Sequence, residues 1–334
     1  MLAARYDARA GLELFSTPDG ERKSVFHVKQ SENESTFSLP DDTPLARELA
    51  DLSARKRRLA DTAVTFTGQT RVMTVSNQKG GVGKTTTTVN IAAALATLGG
   101  RVLVIDLDPQ GNASTALGVP HSADTPSIYD VLIDEFAIAD VIQATPEHDN
   151  LFCVPSTIHL AGAEIELVSQ VAREHRLKTA LEEFRSSQEK PFDFILIDCP
   201  PSLGLLTINA FTATDEVLLP IQAEYYALEG LSQLLANIKM IQKHLNPQIR
   251  VSTILLTMYD ARTRLAQQVA DEVRTHFPNE TLDAVIPRSV RVSEAPSFGQ
   301  TVISYDGGSA GAVAYKEAAV EITNRVAGNN KGAS

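Results

Sequence analysis

The sequence predicts an α/β fold with a single doubly wound, mainly parallel sheet of about seven or eight strands. From residue 71 to about residue 326, short apolar runs rich in β-branched residues alternate with longer amphipathic segments, as strands alternate with helices in a parallel sheet. Glycine or aspartate follows several of these runs directly. Ligands bind at the carboxyl ends of strands in such folds, so the same runs also locate a candidate site.

Residues 1–69 differ from the rest and are predicted to form a largely disordered N-terminal extension. Ser, Thr, Asp, Glu and Pro are frequent there, and no strand pattern persists. A helix is predicted over 43–60, because Thr43 can cap it and Pro44 suits its first turn. The basic run 55–58 lies near the end of that helix. It is interpreted either as a solvated face or as an element that docks onto DNA or a partner.

Composition limits the functions that the chain can have. Of its 334 residues, 43% are hydrophobic and 21% are charged, as in an ordinary globular protein. No apolar run reaches the roughly 20 residues that span a membrane. Cys153 and Cys199 each lie in an apolar run, which predicts core residues in a reducing cytoplasm. The net charge of −11 argues against a generally basic nucleic-acid-binding protein, so any DNA contact must come from a local patch.

A strand, a glycine-rich turn and a helix are predicted in succession between residues 71 and 98. This arrangement binds phosphate, because backbone N–H groups and the positive end of the helix dipole face the anion. Lys84 is expected to reach the β- and γ-phosphates, and the Thr85 hydroxyl is expected to bind Mg²⁺. The candidate nucleotide contacts in this segment are Lys79, Gly80, Gly81, Val82, Gly83, Lys84, Thr85 and Thr86.

Two further predicted strands end in acidic residues. The strand that begins at residue 101 ends in Asp106 and Asp108, whose side chains lie on the same side because strand residues alternate. The strand that begins at residue 192 ends in Asp198, before a Pro-Pro turn. Asp198 is predicted to hold Mg²⁺ through a water molecule, as the acid of a Walker B strand does. The three acids and Lys84 with Thr85 are therefore expected to converge on one metal–phosphate site.

The glycine loop departs from the strict P-loop pattern, because Gln78 stands where the first glycine is expected and Lys79 precedes the glycines. This deviant form resembles the ParA/MinD/nitrogenase-iron-protein group of ATPases. The Asp-Pro-Gln-Gly-Asn segment at 108–112 and the Glu-Tyr-Tyr-Ala-Leu-Glu-Gly segment at 224–230 resemble its ParA (Soj) branch. The resemblance covers nearly all of residues 71–326 and implies a P-loop NTPase domain over 70–328.

The resemblance implies a Mg²⁺-dependent ATPase that is slow without its partner. Lys79 would cross a dimer interface and contact the nucleotide of the second subunit. Asp108 would position or deprotonate the attacking water, and Asp106 would support the metal and its loop. The other implied site residues are Met258, Pro287 and Arg288 around the adenine, and Arg262 and Arg291 as non-specific contacts to DNA.

The resemblance also implies a biological role. An ATP-bound sandwich dimer would bind DNA non-specifically, and a ParB-type protein at its centromere-like site would stimulate hydrolysis, which drives chromosome or plasmid segregation. The implied location is the cytoplasm, in association with the nucleoid and without a membrane anchor. Three rivals differ in what they require: a C-terminal amphipathic anchor for a MinD-type ATPase, cysteine cluster ligands for an iron protein, and a small-molecule acceptor for a metabolic ligase or kinase.

Residues 25–30, Val-Phe-His-Val-Lys-Gln, support a hypothesis about the gene. ParB proteins of this family read the palindrome TGTTTCACGTGAAACA, which in one frame encodes Val, Leu or Met followed by Phe, His, Val, Lys and Gln. Either the gene carries such a site at codons 25–30, or translation begins downstream of it, or the match is a coincidence. The nucleotide sequence of those codons decides whether the palindrome is present.

Overall fold

The computed structural model describes residues 43–224 and 227–329, with the backbone of three short antiparallel strands, β1 (Arg5–Asp7), β2 (Leu12–Ser16) and β3 (Arg22–Ser24). Residues 25–30 lie outside the described residues, and the disorder predicted for the extension stays a prediction. The chain divides into two compact units, Met1–Leu49 and Ala50–Ser334. Within the described ranges, no helix is long and apolar enough to cross a membrane.

An eight-stranded sheet lies at the centre of the larger unit, in agreement with the predicted fold class. Its strands are β4 (Arg71–Val75), β5 (Val102–Asp106), β6 (Gln143–Ala144), β7 (Leu151–Val154), β8 (Phe194–Asp198), β9 (Glu216–Gln222), β10 (Arg250–Tyr259) and β11 (Thr281–Pro287). They lie in the order β11-β10-β9-β4-β8-β5-β7-β6. The pairs are parallel except that the edge strand β6, which the sequence did not predict, runs antiparallel to β7.

Helices connect these strands, and α1 lies where the sequence predicts a helix in the extension. The helices are α1 (Pro44–Ala60), α2 (Lys84–Thr97), α3 (Asn112–Ala116), α4 (Ile128–Ile133), α5 (Ile138–Val141), α6 (Leu160–Leu167), α7 (Arg176–Ser187), α8 (Leu205–Ala213), α9 (Ala227–His244), α10 (Arg264–His276), α11 (Val290–Glu294), α12 (Val302–Tyr305) and α13 (Ala310–Asn329). A 3₁₀ turn, Ala295–Phe298, separates α11 from α12.

The central strands are buried on both faces, which explains their nearly continuous apolar sequences. In β4 and β5, Met73 and Val104 pack into one core with residues of α2 and α13. Val72 and Leu103 pack into a second core with residues of α7 and α8. Because strand side chains alternate between faces, one short strand contributes to both cores. The sheet is thereby held between helical layers, and its strand ends are fixed in position.

Arg71, at the start of β4, joins the sheet to α13. Its guanidinium donates to both carboxylate oxygens of Glu216, at 2.8 and 2.7 Å, and to the Ile322 carbonyl at 2.7 Å. The two charged side chains are only 12% and 9% exposed. Burial acts to raise the pKa of Glu216, but hydrogen bonds and charge from Arg71 outweigh it, and the net effect is a lowered pKa.

Both cysteines are free and buried, which confirms their prediction as core residues. Cys153 lies in β7 and Cys199 directly follows β8, and each is 0% exposed. Burial raises the pKa of both thiols well above the ordinary value. Neither side chain is therefore available as a nucleophile or as a ligand at the surface.

Candidate functional site

Parallel pairing brings three strand ends to one edge of the sheet. In the register, Val75 at the end of β4 pairs with Asp198 at the end of β8, and Asp198 pairs with Asp106 at the end of β5. The glycine loop follows β4 directly, so it opens beside the two acids. The topology therefore gathers the residues that the sequence singled out.

The loop reaches the first turn of α2 through two glycines in left-handed conformations. Gly81 has a φ of 76° and Gly83, the N-cap residue of α2, has a φ of 88°. Residues with a Cβ rarely adopt these angles, whereas glycine does so without steric penalty. Lys84 is the first residue of α2, and its Nζ lies 3.5 Å from the Lys79 carbonyl oxygen above the loop.

Lys84 is 8% exposed and lies among acidic side chains. Burial lowers the pKa of its ammonium, and the charges of Asp198 and Asp108 act in the opposite direction. The buried cation attracts an anion, and the acidic residues close by can bind the metal ion that such an anion carries. This is the electrostatic environment that the phosphate prediction requires.

Asp198 is fully buried and accepts two hydroxyl hydrogen bonds from α2. Thr85 Oγ1 donates to one carboxylate oxygen at 2.7 Å, and Thr88 Oγ1 donates to the other at 2.9 Å. Burial raises the pKa of Asp198, and the neighbouring Asp106 charge raises it further. The threonine hydroxyls act against this shift, and they fix the carboxylate at the base of the loop.

The donor set at this position fits Mg²⁺. A hydroxyl and a carboxylate supply hard oxygen atoms, and Mg²⁺ in phosphate sites usually binds one or two protein oxygens, several waters and the phosphate itself. Among the described residues, no group of three or more His, Cys, Asp or Glu side chains is arranged to hold a metal ion alone. The donor set of one hydroxyl and one carboxylate suits a metal that enters with a phosphate ligand.

Asp106 holds the loop that follows β5. One of its oxygens accepts from Ser114 N at 2.8 Å and from Ser114 Oγ at 2.7 Å, and the other accepts from Asp108 N at 3.2 Å. Burial raises the pKa of Asp106, and the Ser114 bonds act against that shift. The loop part of its predicted role is consistent with these bonds, whereas its predicted contact with the metal remains a prediction.

Two adjoining cavities lie over these residues. The larger, of about 530 Å³, is lined by the glycine loop, by Lys84 and Thr85, and by Asp108 and Pro201. Asp108 is 8% exposed there, and its Oδ1 accepts from Gln110 N at 3.0 Å. A smaller cavity of about 190 Å³ shares Gly83, Thr86 and Met258 with the first and is also lined by Pro287 and Arg288.

Met258 stands between the two cavities with an unusual backbone. Its φ is 50°, a left-handed conformation that non-glycine residues seldom adopt. Strained residues of this kind cluster at ligand sites, where the surrounding structure maintains them. Met258, Pro287 and Arg288, which were predicted to contact an adenine, thus line one cavity next to the predicted phosphate contacts.

Lys79 lies apart from this cavity lining. Its Nζ donates to Glu224 Oε2 at 3.0 Å, and both side chains are well exposed, at 39% and 47%. Its backbone N–H donates to Asn77 Oδ1 at 3.0 Å, and Asn77 in turn donates to the Pro220 carbonyl at 2.9 Å. The lysine is thus tied to the end of β9 rather than turned towards its own Asp108.

The two arginines predicted to contact DNA lie at the surface, Arg262 in the turn before α10 and Arg291 in α11. Arg262 is 89% exposed and pairs with Asp260 at 2.9 Å, and its hydrogen bonds lower the pKa of Asp260 to about 2. Arg291 is 56% exposed and lies 3.3 Å from Glu294 and 3.5 Å from Asp306. Each guanidinium therefore already has an acidic partner close by.

Several residues of the site were missed by sequence reasoning. Thr88 and Ser114 bond the two buried acids, and Thr257 Oγ1 donates to the Val82 carbonyl of the glycine loop at 2.8 Å. Thr88 lies one turn after Thr85 in the Thr85–Thr88 run, so helical spacing was an available signal. Glu224 and Thr257 gave no local signal, because they meet the loop only through the order of the strands.

Comparisons with known proteins agree with this architecture. A family model described as an AAA domain (AAA_31) matches residues 70–251. The sporulation initiation inhibitor protein Soj of Bacillus subtilis is 53% identical over 252 residues, which cover 75% of this chain and 98% of that protein. The chromosome partitioning protein ParA of Caulobacter vibrioides is 49% identical, with coverage of 76% and 94%. The chromosome-partitioning ATPase Soj of Treponema pallidum is 47% identical, with coverage of 75% and 95%.

Solved structures with the same fold contain nucleotide and magnesium. Cobyrinic acid a,c-diamide synthase of Mycobacterium smegmatis, with bound ADP and magnesium, superimposes with a TM-score of 0.67 at 37% identity, over 78% of this chain and 97% of that chain. The septum site-determining protein MinD of Pyrococcus horikoshii, complexed with Mg-ADP, gives a TM-score of 0.62 at 26% identity, over 78% and 98%.

Proposed function

Because the chain belongs to the ParA (Soj) family of chromosome-partitioning ATPases, we propose that it hydrolyses ATP with Mg²⁺ and couples hydrolysis to DNA partitioning. The observation that supports this most strongly is the convergence of Lys84, Thr85 and Asp108 on one cavity, with Asp198 bonded to Thr85. Lys84 stabilises negative charge on the transferring phosphoryl group. Its burial makes that interaction stronger than it would be in water.

The remaining cavity residues take the other parts of the reaction. Thr85 and Asp198 hold Mg²⁺, which neutralises charge on the phosphates when it is bound. The Asp108 carboxylate orients the attacking water and accepts its proton. Asp106 keeps the Asp108 loop in place by accepting hydrogen bonds from Asp108 N and Ser114 Oγ. Met258, Pro287 and Arg288 surround the adenine in the smaller cavity.

The proposed role of Lys79 requires a dimer for activity. In this proposal it leaves Glu224 and contacts the nucleotide of a second subunit across an ATP-dependent sandwich interface. An exposed ion pair contributes only about 0.2–1 kcal/mol, so a triphosphate in the facing subunit can outcompete Glu224. Loss of the γ-phosphate removes the contact and reverses the association.

The ATP-bound dimer binds DNA non-specifically through Arg262 and Arg291, and a ParB-type protein at its centromere-like site stimulates hydrolysis. This assigns the protein to the nucleoid in the cytoplasm. The binding energy of each arginine is reduced by its own acidic partner, so DNA affinity depends on several weak contacts in a dimer. Such binding suits a protein that must release DNA after each hydrolysis cycle.

Molecular mass in solution tests the dimer directly. Light scattering after size exclusion, with ATP, with ADP and without nucleotide, is expected to show a dimer only with ATP. Asp108→Ala should retain the ATP-bound dimer because it removes only the group that activates water. Lys84→Ala and Lys79→Ala should remain monomers. An ATP-dependent dimer formed by Lys79→Ala at the wild-type concentration would contradict the assigned role of that lysine.

A second candidate function is ATP-dependent amidation of a small molecule, since one structural relative is a diamide synthase. Such a ligase passes phosphate to an organic carboxylate. The discriminating measurement is ATP turnover with DNA and the ParB-type protein against turnover with a carboxylate and an amide donor. Turnover that rises only with DNA and the partner supports partitioning, whereas dependence on the organic acceptor supports the ligase.

A further inference from the structure

Three cationic side chains meet around the turn that precedes α13. Lys56 Nζ of α1 lies 3.1 Å from the position that a Cβ would take on Gly308. Lys316 Nζ of α13 donates to the Gly307 carbonyl at 3.3 Å. Arg291 Nε lies 3.5 Å from Asp306 Oδ2 in the same turn. Because Gly308 has no side chain, the Lys56 ammonium can approach the backbone of this turn closely.

The second half of α1, which belongs to the larger unit, is fixed in place by one residue of its basic run. The Arg55 guanidinium donates to both carboxylate oxygens of Glu317 on α13, at 3.0 Å from Nε to Oε1 and at 2.5 Å from Nη2 to Oε2. Arg55 is therefore an anchor, and its charge is satisfied. The next three residues, Lys56, Arg57 and Arg58, are exposed.

Lys56, Arg57 and Arg58 differ from the two exposed arginines that are proposed to contact DNA. Arg262 and Arg291 each have an acidic partner, but within the described part of the chain Lys56, Arg57 and Arg58 form no ion pair. Burial lowers the pKa of the Lys316 ammonium, and the charge of the nearby Lys56 lowers it further. Two neighbouring ammonium groups repel each other, and an anion placed between them relieves that repulsion.

The groups of opposite sign around this turn are already engaged. Asp306 and Glu294 face Arg291, and Glu317 faces Arg55. Asp51 lies 4.0 Å from Arg55, one turn earlier on the same helix. Asp61 directly follows α1 and offsets one of the three cations Lys56, Arg57 and Arg58, so the charge at the end of the helix remains positive in a chain whose net charge is −11.

We propose that the end of α1 is a phosphate-contacting surface for the backbone of duplex DNA, with Lys56 at its centre and Arg57 and Arg58 beside it. This rests on the proposed DNA binding and adds a contact region to it. The family match begins at residue 70, so α1 precedes the matched domain and supplies cations that the matched segment does not contain. Because phosphate contacts carry no sequence information, the surface increases affinity on all DNA sequences alike.

The test is a salt titration of DNA binding by the full chain. Fluorescence anisotropy of a labelled duplex of generic sequence is measured with ATP between about 50 and 200 mM salt. The variants are Lys56→Gln and the triple change Lys56→Gln, Arg57→Gln, Arg58→Gln. Lys243→Gln is the matched control, because it removes the same charge from an exposed lysine at the end of α9.

Each lost phosphate contact should reduce the slope of log K against log salt by about 0.9, so Lys56→Gln should lose about one unit. The triple variant should lose up to about two units, because successive helix residues point about 100° apart and cannot all face one duplex. The control should keep the wild-type slope. DNA-free ATP turnover and ATP-dependent dimerisation should be unchanged in all variants, because the end of α1 contributes nothing to the nucleotide cavity lining.

Three outcomes overturn the proposal, and they are distinguishable. If the wild-type chain binds no DNA with ATP, the proposed DNA-binding function fails and this surface fails with it. If the wild type binds but the triple variant behaves like Lys243→Gln, only the α1 surface is wrong. If the DNA slope is unchanged while ParB-stimulated turnover falls, the surface binds the protein partner rather than DNA.

Discussion

Charged residues occupy two different environments in this molecule. Around the nucleotide cavity, Lys84, Asp106 and Asp198 are buried, and each acid is held by hydrogen bonds from the main chain or from hydroxyl groups. On the surface proposed to bind DNA, Arg262 and Arg291 are more than half exposed and lie against nearby carboxylates. Charged side chains therefore keep fixed partners around the cavity, whereas on the exposed surface they can exchange one partner for another.

This difference in burial suits two different functions, stabilisation of a transition state and reversible binding of phosphate groups. A buried charge with fixed partners is pre-arranged for the transition state and needs little reorganisation during the reaction. An exposed charge with a weak internal partner can exchange that partner for a phosphate at little cost, and salt screens the exchange. Burial, rather than residue type, is therefore expected to set how strongly each substitution acts.

The largest expected effect is on stability, at the buried pair between Arg71 and Glu216. Glu216→Gln leaves the Arg71 guanidinium buried without a full counter-charge, and it should reduce the free energy of unfolding by about 3–5 kcal/mol near neutral pH. Urea unfolding monitored by circular dichroism measures this. The control is Asp260→Asn, which removes the exposed ion pair with Arg262 and should leave the urea midpoint of unfolding unchanged. Equal midpoint shifts in the two variants would contradict the contrast between the regions.

The Glu216 contribution also has a defined pH dependence. Its pKa is lowered in the folded protein, so the stabilisation is complete above the unfolded value of about 4.3 and is lost as the pH falls through the folded value. The difference between wild type and Glu216→Gln should therefore shrink in the acidic range. A difference that stays constant down to pH values below the folded pKa would exclude this carboxylate as its source.

The next largest effect is on catalysis, at Lys84. Lys84→Ala removes a buried cation from the phosphate cavity and should reduce ATP turnover by about 10²–10³-fold. Phosphate release, measured with and without DNA and partner, checks this. The matched surface change is Lys243→Ala on α9, which should retain wild-type turnover. Comparable losses in the two variants would indicate a general effect of charge rather than one of the cavity.

A smaller effect is expected at the exposed arginines. Arg262→Ala removes at most one phosphate contact and should weaken DNA binding less than tenfold, with a decrease of about 0.9 in the salt slope. Affinity on unrelated sequences should fall equally. Asp260→Asn removes the competing acid, so it should strengthen DNA binding slightly. A change in the opposite direction would show that Asp260 positions Arg262 rather than competing with DNA.

The smallest expected effect concerns the ion pair between Lys79 and Glu224. Glu224→Gln removes an exposed ion pair worth about 0.2–1 kcal/mol, so the ATP concentration that gives half-maximal dimerisation should fall by up to about fivefold. Mass photometry over a range of ATP concentrations measures this. Gln222→Ala, which removes a hydrogen bond to Glu224 without changing charge, is the control. A rise in the required ATP would mean that Glu224 supports the dimer.

The sequence predicted the parts of the site that depend on local patterns. Lys84 and Thr85 follow a glycine turn at fixed spacing, and Asp106 and Asp198 follow apolar runs, so their positions relative to strands and helices could be predicted. The carboxyl ends of parallel strands meet at one edge, and this sufficed to predict that Lys84, Asp108 and Asp198 would converge. The seven longer strands of the central sheet were also predictable from the alternation, whereas β6 was not.

The parts that escaped prediction depend on contacts between distant segments. Glu224 reaches Lys79 only because β9 lies beside β4, and Glu216 reaches Arg71 for the same reason. The left-handed Met258 backbone gave no signal, because methionine has no preference for that conformation. The edge strand β6 has two residues, which is too few for an alternation pattern.

The enclosed position of Cys153 and Cys199 has a practical consequence for following this protein by fluorescence. A maleimide dye reacts with accessible thiolates, and both native thiols lack contact with solvent and resist ionisation. A single cysteine introduced on an exposed helix would therefore take up the dye selectively in the native chain. Energy transfer between labelled subunits could then report association and release in real time, without prior removal of the natural cysteines.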